Sequence, residues 1–109
     1  MAKAAKKETK VDISKRYSTG KGVLRAVLAL FEESPSNWTR DMKRRERKTA
    51  NGGVAFCALG GIEHFAGDRV ACVRARSQLT EALGGKCIPE VNDKRGRKAI
   101  LAGLRKAVA

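Results

Sequence analysis

The chain has 109 residues, 42% of them apolar and 5% aromatic, with 24 Lys and Arg against 11 Asp and Glu and a formal net charge of +13. That length holds one domain with one modest core and a thin stability margin. No run approaches the roughly eighteen apolar residues of a membrane helix, and the aromatic residues (Tyr17, Phe31, Trp38, Phe56 and Phe65) are too few for a platform that stacks single-stranded bases.

The positive surplus is concentrated. Residues 1–20, 38–53 and 88–109 each carry a net +4, and the remaining stretches sum to +1. A field of this sign attracts polyanions and repels other basic surfaces.

Residues 1–18 are expected to form a disordered basic arm, and residues 19–109 a single globular domain. Apart from Val11 and Ile13, the first sixteen residues lack apolar periodicity. An arm that orders only on a polyanion is the alternative. The N-terminus is charged, with no apolar core behind it, so no secretory signal is expected.

From Lys21 to Ser34 the spacing predicts a helix. Val23, Leu24, Val27, Leu28 and Phe31 fall on one face of a 3.6-residue period. Ser18 or Thr19 can cap its start, and Pro35 stops its end.

Residues 38–57 read as a basic β-hairpin. Trp38, Arg40 and Met42 alternate with their neighbours, and Val54 and Phe56 alternate on the far side. Asn51-Gly52 is a turn signal, because both positions of a type I′ turn need positive φ. The long tip is placed at residues 44–53. A basic helix over residues 39–48 is the rival, since Trp38 and Met42 are also four apart.

A short buried helix is predicted from Cys57 to Ala66, with Leu59, Ile62 and Phe65 recurring every three residues. Gly60-Gly61 weakens it by about 1 kcal/mol per Gly, which close approach of another backbone, that of the first helix, would offset. Gly67-Asp68 breaks the chain and caps the next helix, Arg69 to Leu83, whose stripe is Ala71, Ala75, Leu79 and Leu83. Its other faces carry Arg69, Arg74 and Arg76. Gly84-Gly85 ends it.

Lys86 to Val91 is predicted extended, because Pro89 biases Ile88 away from helix. Asn92 or Asp93 then caps a last helix reaching Val108, with Ile100, Leu101, Leu104 and Val108 as its apolar stripe. Lys94, Arg95, Arg97 and Lys98 would crowd its first turns, the wrong end for the macrodipole. A phosphate there would meet both the dipole and the side chains. The expected fold is α+β: a small, mostly helical domain of about four helices with a basic two-stranded hairpin.

In this order, Trp38, Cys57, Leu59, Gly60, Asn92, Asp93, Gly96 and Arg97 make a pattern, Trp…Cys-x-Leu-Gly…Asn-Asp-x-x-Gly-Arg. It resembles a family of small bacterial and phage-borne proteins classed only as a domain of unknown function. The match runs over about residues 22–108. Val91 stands where such proteins often have Trp. The resemblance implies this architecture and a phage or mobile-element origin, and it implies no catalytic role.

The cysteines, Cys57, Cys72 and Cys87, are odd in number and form no paired C-x-x-C pattern with each other or with His64. On one helix, Cys57 and His64 would stand roughly 10 Å apart in rise, so one ion cannot reach both. Reduced core or near-core thiols in an intracellular setting are expected, in the cytoplasm (the host's, if phage-encoded). His64 and Glu63 are neighbours that point about 100° apart on a helix, so they make no acid–base pair. No loop for a nucleophile is present, and no run of glycines makes a phosphate loop. Asn92-Asp93 reads as a helix cap, with a functional role as the alternative. No enzyme activity, metal or cofactor is expected.

The block Arg40, Lys43, Arg44, Arg45, Arg47 and Lys48 is richer in Arg than Lys, and Arg forks suit phosphates and base edges. With Lys94, Arg95, Arg97 and Lys98 it forms the expected nucleic-acid-binding set, DNA slightly favoured over RNA. The alternatives are a protein-binding inhibitor or adaptor acting on a host complex, and a structural component of a ribonucleoprotein or virion.

Overall fold

The computed structural model describes residues 11–40, 44–46 and 54–109. Among them are five α-helices and one short strand pair: α1 (Gly20–Glu33), β1 (Arg44–Glu46), β2 (Val54–Phe56), α2 (Ala58–Phe65), α3 (Arg69–Ala82), α4 (Ile88–Arg95) and α5 (Arg97–Val108).

The three longest helices build the core. α1 packs against both α3 and α5, which also touch each other. Val23, Leu24, Val27, Leu30 and Phe31 of α1 are fully buried, against Ala71, Ala75 and Leu79 of α3 and Ile100 and Leu104 of α5. Each large side chain among them contributes about 1.5–3 kcal/mol on burial. The small residues of α3 let α1 come close. A Cβ at Gly20 would lie 3.1 Å from the Ala75 nitrogen and 2.7 Å from the Gln78 side chain. α2 lies across α1 through Gly61, where a Cβ would stand 3.3 Å from both Val27 methyls. The close partner is a side chain of the first helix, not its backbone.

Caps follow the sequence. Thr19 accepts from the Gly22 N–H, and Asp68 from the Ala71 N–H. The α2 cap is Cys57, whose sulfur accepts from the Gly60 N–H at 3.3 Å.

Four expectations are corrected. First, Ile88 and Pro89 belong to a helix. Proline sits in the first turn of α4, where its fixed φ and missing N–H are compatible with helix. The described residues therefore hold five helices, and the expected single last helix is two, broken at Gly96 (φ 87°, ψ −173°). Second, the first strand is Arg44–Glu46, within the expected tip. Its register is antiparallel, Arg44 opposite Phe56 and Glu46 opposite Val54. Residues 41–43 and 47–53, including Asn51-Gly52, lie outside the described residues. Trp38 instead follows a 3-10 turn (Pro35–Asn37) and makes an isolated parallel bridge to Phe56. Third, residues 11–17 of the expected arm are fastened to the body. The Val11 N–H donates to Glu33 at 3.0 Å, and the Tyr17 N–H to the Phe65 carbonyl at 2.8 Å. His64 Nε2 lies 2.6 Å from the Ile13 carbonyl oxygen. Residues 1–10 lie outside the described residues. Fourth, Cys87 is exposed, whereas Cys57 is buried and Cys72 is half-buried against the core, as expected.

Candidate nucleic-acid interface

Two of the basic blocks meet at one polar junction, organised by Asn92. This side chain is fully buried. Its Oδ1 accepts from the Trp38 indole N–H at 2.7 Å and from the Ala58 N–H at 3.1 Å. Its Nδ2 donates to the Thr39 carbonyl at 3.2 Å and to Asp93 at 3.0 Å. One amide thus ties α4 to the start of α2 and to the segment leading into β1, 54 residues away in sequence. The expected helix cap is a buried hub instead. A buried amide with its donors and acceptor satisfied fixes one arrangement of the chain.

Arg40 and Gly96 complete the junction. The Arg40 guanidinium donates to the Asp93 carbonyl and lies 5.3 Å from the centroid of the Trp38 ring. A Cβ on Gly96 would sit 3.2 Å from Arg40. The Gly96 N–H donates to the Val91 carbonyl at 3.1 Å, closing α4. The base of one basic block therefore rests on the hinge of the other.

The expected binding residues divide by what they touch. Arg97 donates to the Phe31 carbonyl at 2.7 Å. That carbonyl is one of the last in α1, and a guanidinium there opposes the negative end of the dipole, so Arg97 is a cap for α1. Lys94 stands 3.9 Å from Glu90 in an exposed pair, worth a few tenths of a kcal/mol. Lys94 and Arg95 lie in the last turn of α4, the favourable end, contrary to expectation. Only Arg97 and Lys98 stand at the first turn of α5, which has no acid and no side-chain cap. Arg95 and Lys98 are exposed, with no ion pair or hydrogen bond among the described residues. Arg44 and Arg45 lie on β1, with side chains outside the described part. Lys43, Arg47 and Lys48 lie outside the described residues. Arg105, in the same helix as Lys98, pairs with Glu32 at 3.0 Å and fastens α5 to α1.

Among the described residues, no three His, Cys, Asp or Glu side chains gather to hold a metal ion. Burial pushes the Cys57 thiol above its ordinary range, which makes it a poor nucleophile. His64 packs its ring 4.7 Å from that of Phe56. A groove of about 830 Å³ on the far half of α3 is lined by Val73, Arg76, Ser77, Thr80 and Glu81 with Gly84 and Gly85. No helix among the described residues is long and apolar enough to cross a membrane.

Sequence reasoning missed the hub role of Asn92 and the structural use of Arg40 and Arg97. The available signal for Asn92 was its place after Val91 at the end of an apolar pair, Ile88 and Val91, three residues apart. No protein-family model, curated protein or solved structure matches this chain.

Proposed function

We propose that the protein binds nucleic acid by neutralising phosphates with the cations on either side of the Asn92 junction. The observation that carries this reading is the contact of Arg40 with Asp93 beside Gly96, which brings the first cation of one block against the other block, at 94–98. Two net-positive segments held together sum their fields over one end of the molecule. On this reading β1 and β2 are the arms of a basic hairpin closed through residues 47–53. Arg44, Arg45, Arg95 and Lys98 contact phosphate, and Arg40 and Arg97 hold the platform. The N-terminal arm adds further charge, and a phage or mobile-element origin belongs to the same proposal.

The test is a salt titration of duplex binding. With about five phosphates neutralised, log K falls with log salt at a slope near −4 to −5. Replacing Arg44, Arg45, Arg95 and Lys98 with Ala is expected to reduce that slope by about three to four while circular dichroism stays unchanged. Affinity that is flat in salt would overturn the reading. If the quadruple variant binds nucleic acid like the parent but no longer captures a host protein, the inhibitor or adaptor reading replaces it. Capture that vanishes on nuclease treatment supports the nucleic-acid tether.

A further inference from the structure

We infer that α2 and α3 form a helix–turn–helix unit whose exposed α3 face reads the major groove of duplex DNA. This rests on the nucleic-acid reading above, but the α3 face shares none of its residues.

The unit is short and firmly held. α2 and α3 pack together and are joined by Ala66, Gly67 and Asp68. The turn is pinned from outside: the Gly67 N–H donates to the Tyr17 carbonyl at 2.8 Å, and the Tyr17 N–H donates to the Phe65 carbonyl at the same distance. A Cβ at position 67 would stand 3.1 Å from the Tyr17 oxygen, so the turn takes Gly for close approach. Asp68, the N-cap of α3, is engaged with the Ala71 N–H, which donates to it at 2.8 Å. A second helix presented by a three- or four-residue turn is the arrangement that places a helix in a groove.

The composition of α3 fits that task. Ala71, Ala75 and Leu79 are fully buried on its inner face. On the outer face, Val70 is 58% and Val73 53% exposed, the large apolar side chains most open to solvent among the described residues. Arg69, Arg74 and Arg76 are exposed on the same helix, with no ion pair or hydrogen bond among the described residues. The single acid of α3, Glu81, stands in its last turn. The valines stay exposed in the folded chain, and the arginines pair with no neighbour among the described residues. Methyl groups beside Arg forks match the thymine methyl and the guanine N7 and O6 of a major groove. An acidic protein surface would satisfy the arginines but gives no reason for a rigidly pinned helix pair.

The placement of α4 supports a duplex. Arg76 faces Cys87, Ile88 and Pro89 across a cleft of about 190 Å³. From there the eight residues of α4 run about 12 Å, roughly the width of a major groove, to Lys94 and Arg95. On this inference Lys94 and Arg95 supply phosphate contacts that flank a duplex seated on α3.

The experiment uses the full chain, a pool of duplexes with a randomised centre, and fluorescence anisotropy on the enriched duplex and on an unrelated one. The parent is expected to enrich a short sequence. Val70→Ser with Val73→Ser should bind the enriched duplex about tenfold more weakly, with little change on the unrelated duplex and an unchanged salt slope. Arg69→Ala with Arg76→Ala gives a second readout, should the valine pair disturb helix content by circular dichroism. If the parent binds duplex DNA but enriches nothing, and both α3 variants bind as it does, this inference is overturned and the phosphate-binding reading stands. Should the α3 variants lose binding while the Arg44, Arg45, Arg95 and Lys98 variant keeps it, the reverse holds. A parent that binds no duplex DNA overturns this inference, and one that binds neither duplex DNA nor duplex RNA overturns the phosphate-binding reading as well.

Discussion

The Asn92 junction and the outer face of α3 spend their arginines differently. At the junction, Arg40 and Arg97 donate to backbone carbonyls of Asp93 and Phe31. Along α3, Arg69, Arg74 and Arg76 meet no acceptor among the described residues. Yet the junction arginines come from the charge-dense blocks, and the α3 arginines from stretches that sum to only +1. Local charge density therefore does not rank cations by availability. The partner of each side chain does, because a guanidinium that caps a helix has already committed its fork.

The comparison breaks most visibly at Asn92. Asn92→Ala strands the Ala58 N–H, the Thr39 carbonyl and the Trp38 indole together, and is expected to lower unfolding free energy by about 3–4 kcal/mol. Urea denaturation checks this; a midpoint equal to the parent's would remove the hub from the account. Next comes Gly96→Ala. Its backbone lies in a region that only Gly adopts without strain, so a loss of about 1–3 kcal/mol is expected, read as a lower melting temperature.

Arg97 and Lys98 sharpen the contrast, being neighbours with opposite roles. Arg97→Ala should cost about 1–2 kcal/mol through the lost charge-assisted bond to Phe31. Lys98→Ala should stay within about 0.5 kcal/mol but reduce the salt slope of nucleic-acid binding by about one. A pair of variants that behave alike in both measurements would collapse the distinction.

The smallest effect concerns the thiols. Cys87 should react with a maleimide well before Cys57, which is buried and bonded to the Gly60 N–H. Because burial raises the Cys57 pKa, the fold favours the neutral thiol. Its contribution to stability is present at neutral pH and declines as pH rises above the thiol's ordinary range. Cys57→Ser should flatten that alkaline decline.

Much of the helical frame was legible because it rests on local rules. α1, α2 and α3 begin and end within a residue or so of their predicted bounds, with Thr19 and Asp68 capping as expected. Those signals lie within a few residues of the feature they specify. The break at Gly96 and the helix at Ile88 were hidden, because the pre-proline restriction bears little on a residue at the helix edge. The first strand was misplaced because alternation at Trp38, Arg40 and Met42 says nothing about tertiary partners. Trp38 is claimed by Asn92, and pairing with β2 falls to Arg44–Glu46. For the candidate site, residue type was readable and employment was not. That Arg40 and Arg97 would brace the fold depends on carbonyls 53 and 66 residues away. The α3 arginines were placed on its outer faces but given no role, because they are spaced along a helix rather than clustered in a run.

Trp38 is the only tryptophan in the chain. Its indole N–H is bonded to a buried amide, and a guanidinium lies over its ring. Its emission is therefore a built-in optical gauge of whether the two basic segments are docked. During refolding, that signal should change only when residues 54 positions apart close on each other, later than the helical signal that local turns supply. An added polyanion that merely coats the surface should leave the emission wavelength alone, whereas one that pries the segments apart should shift it to the red as the indole meets water.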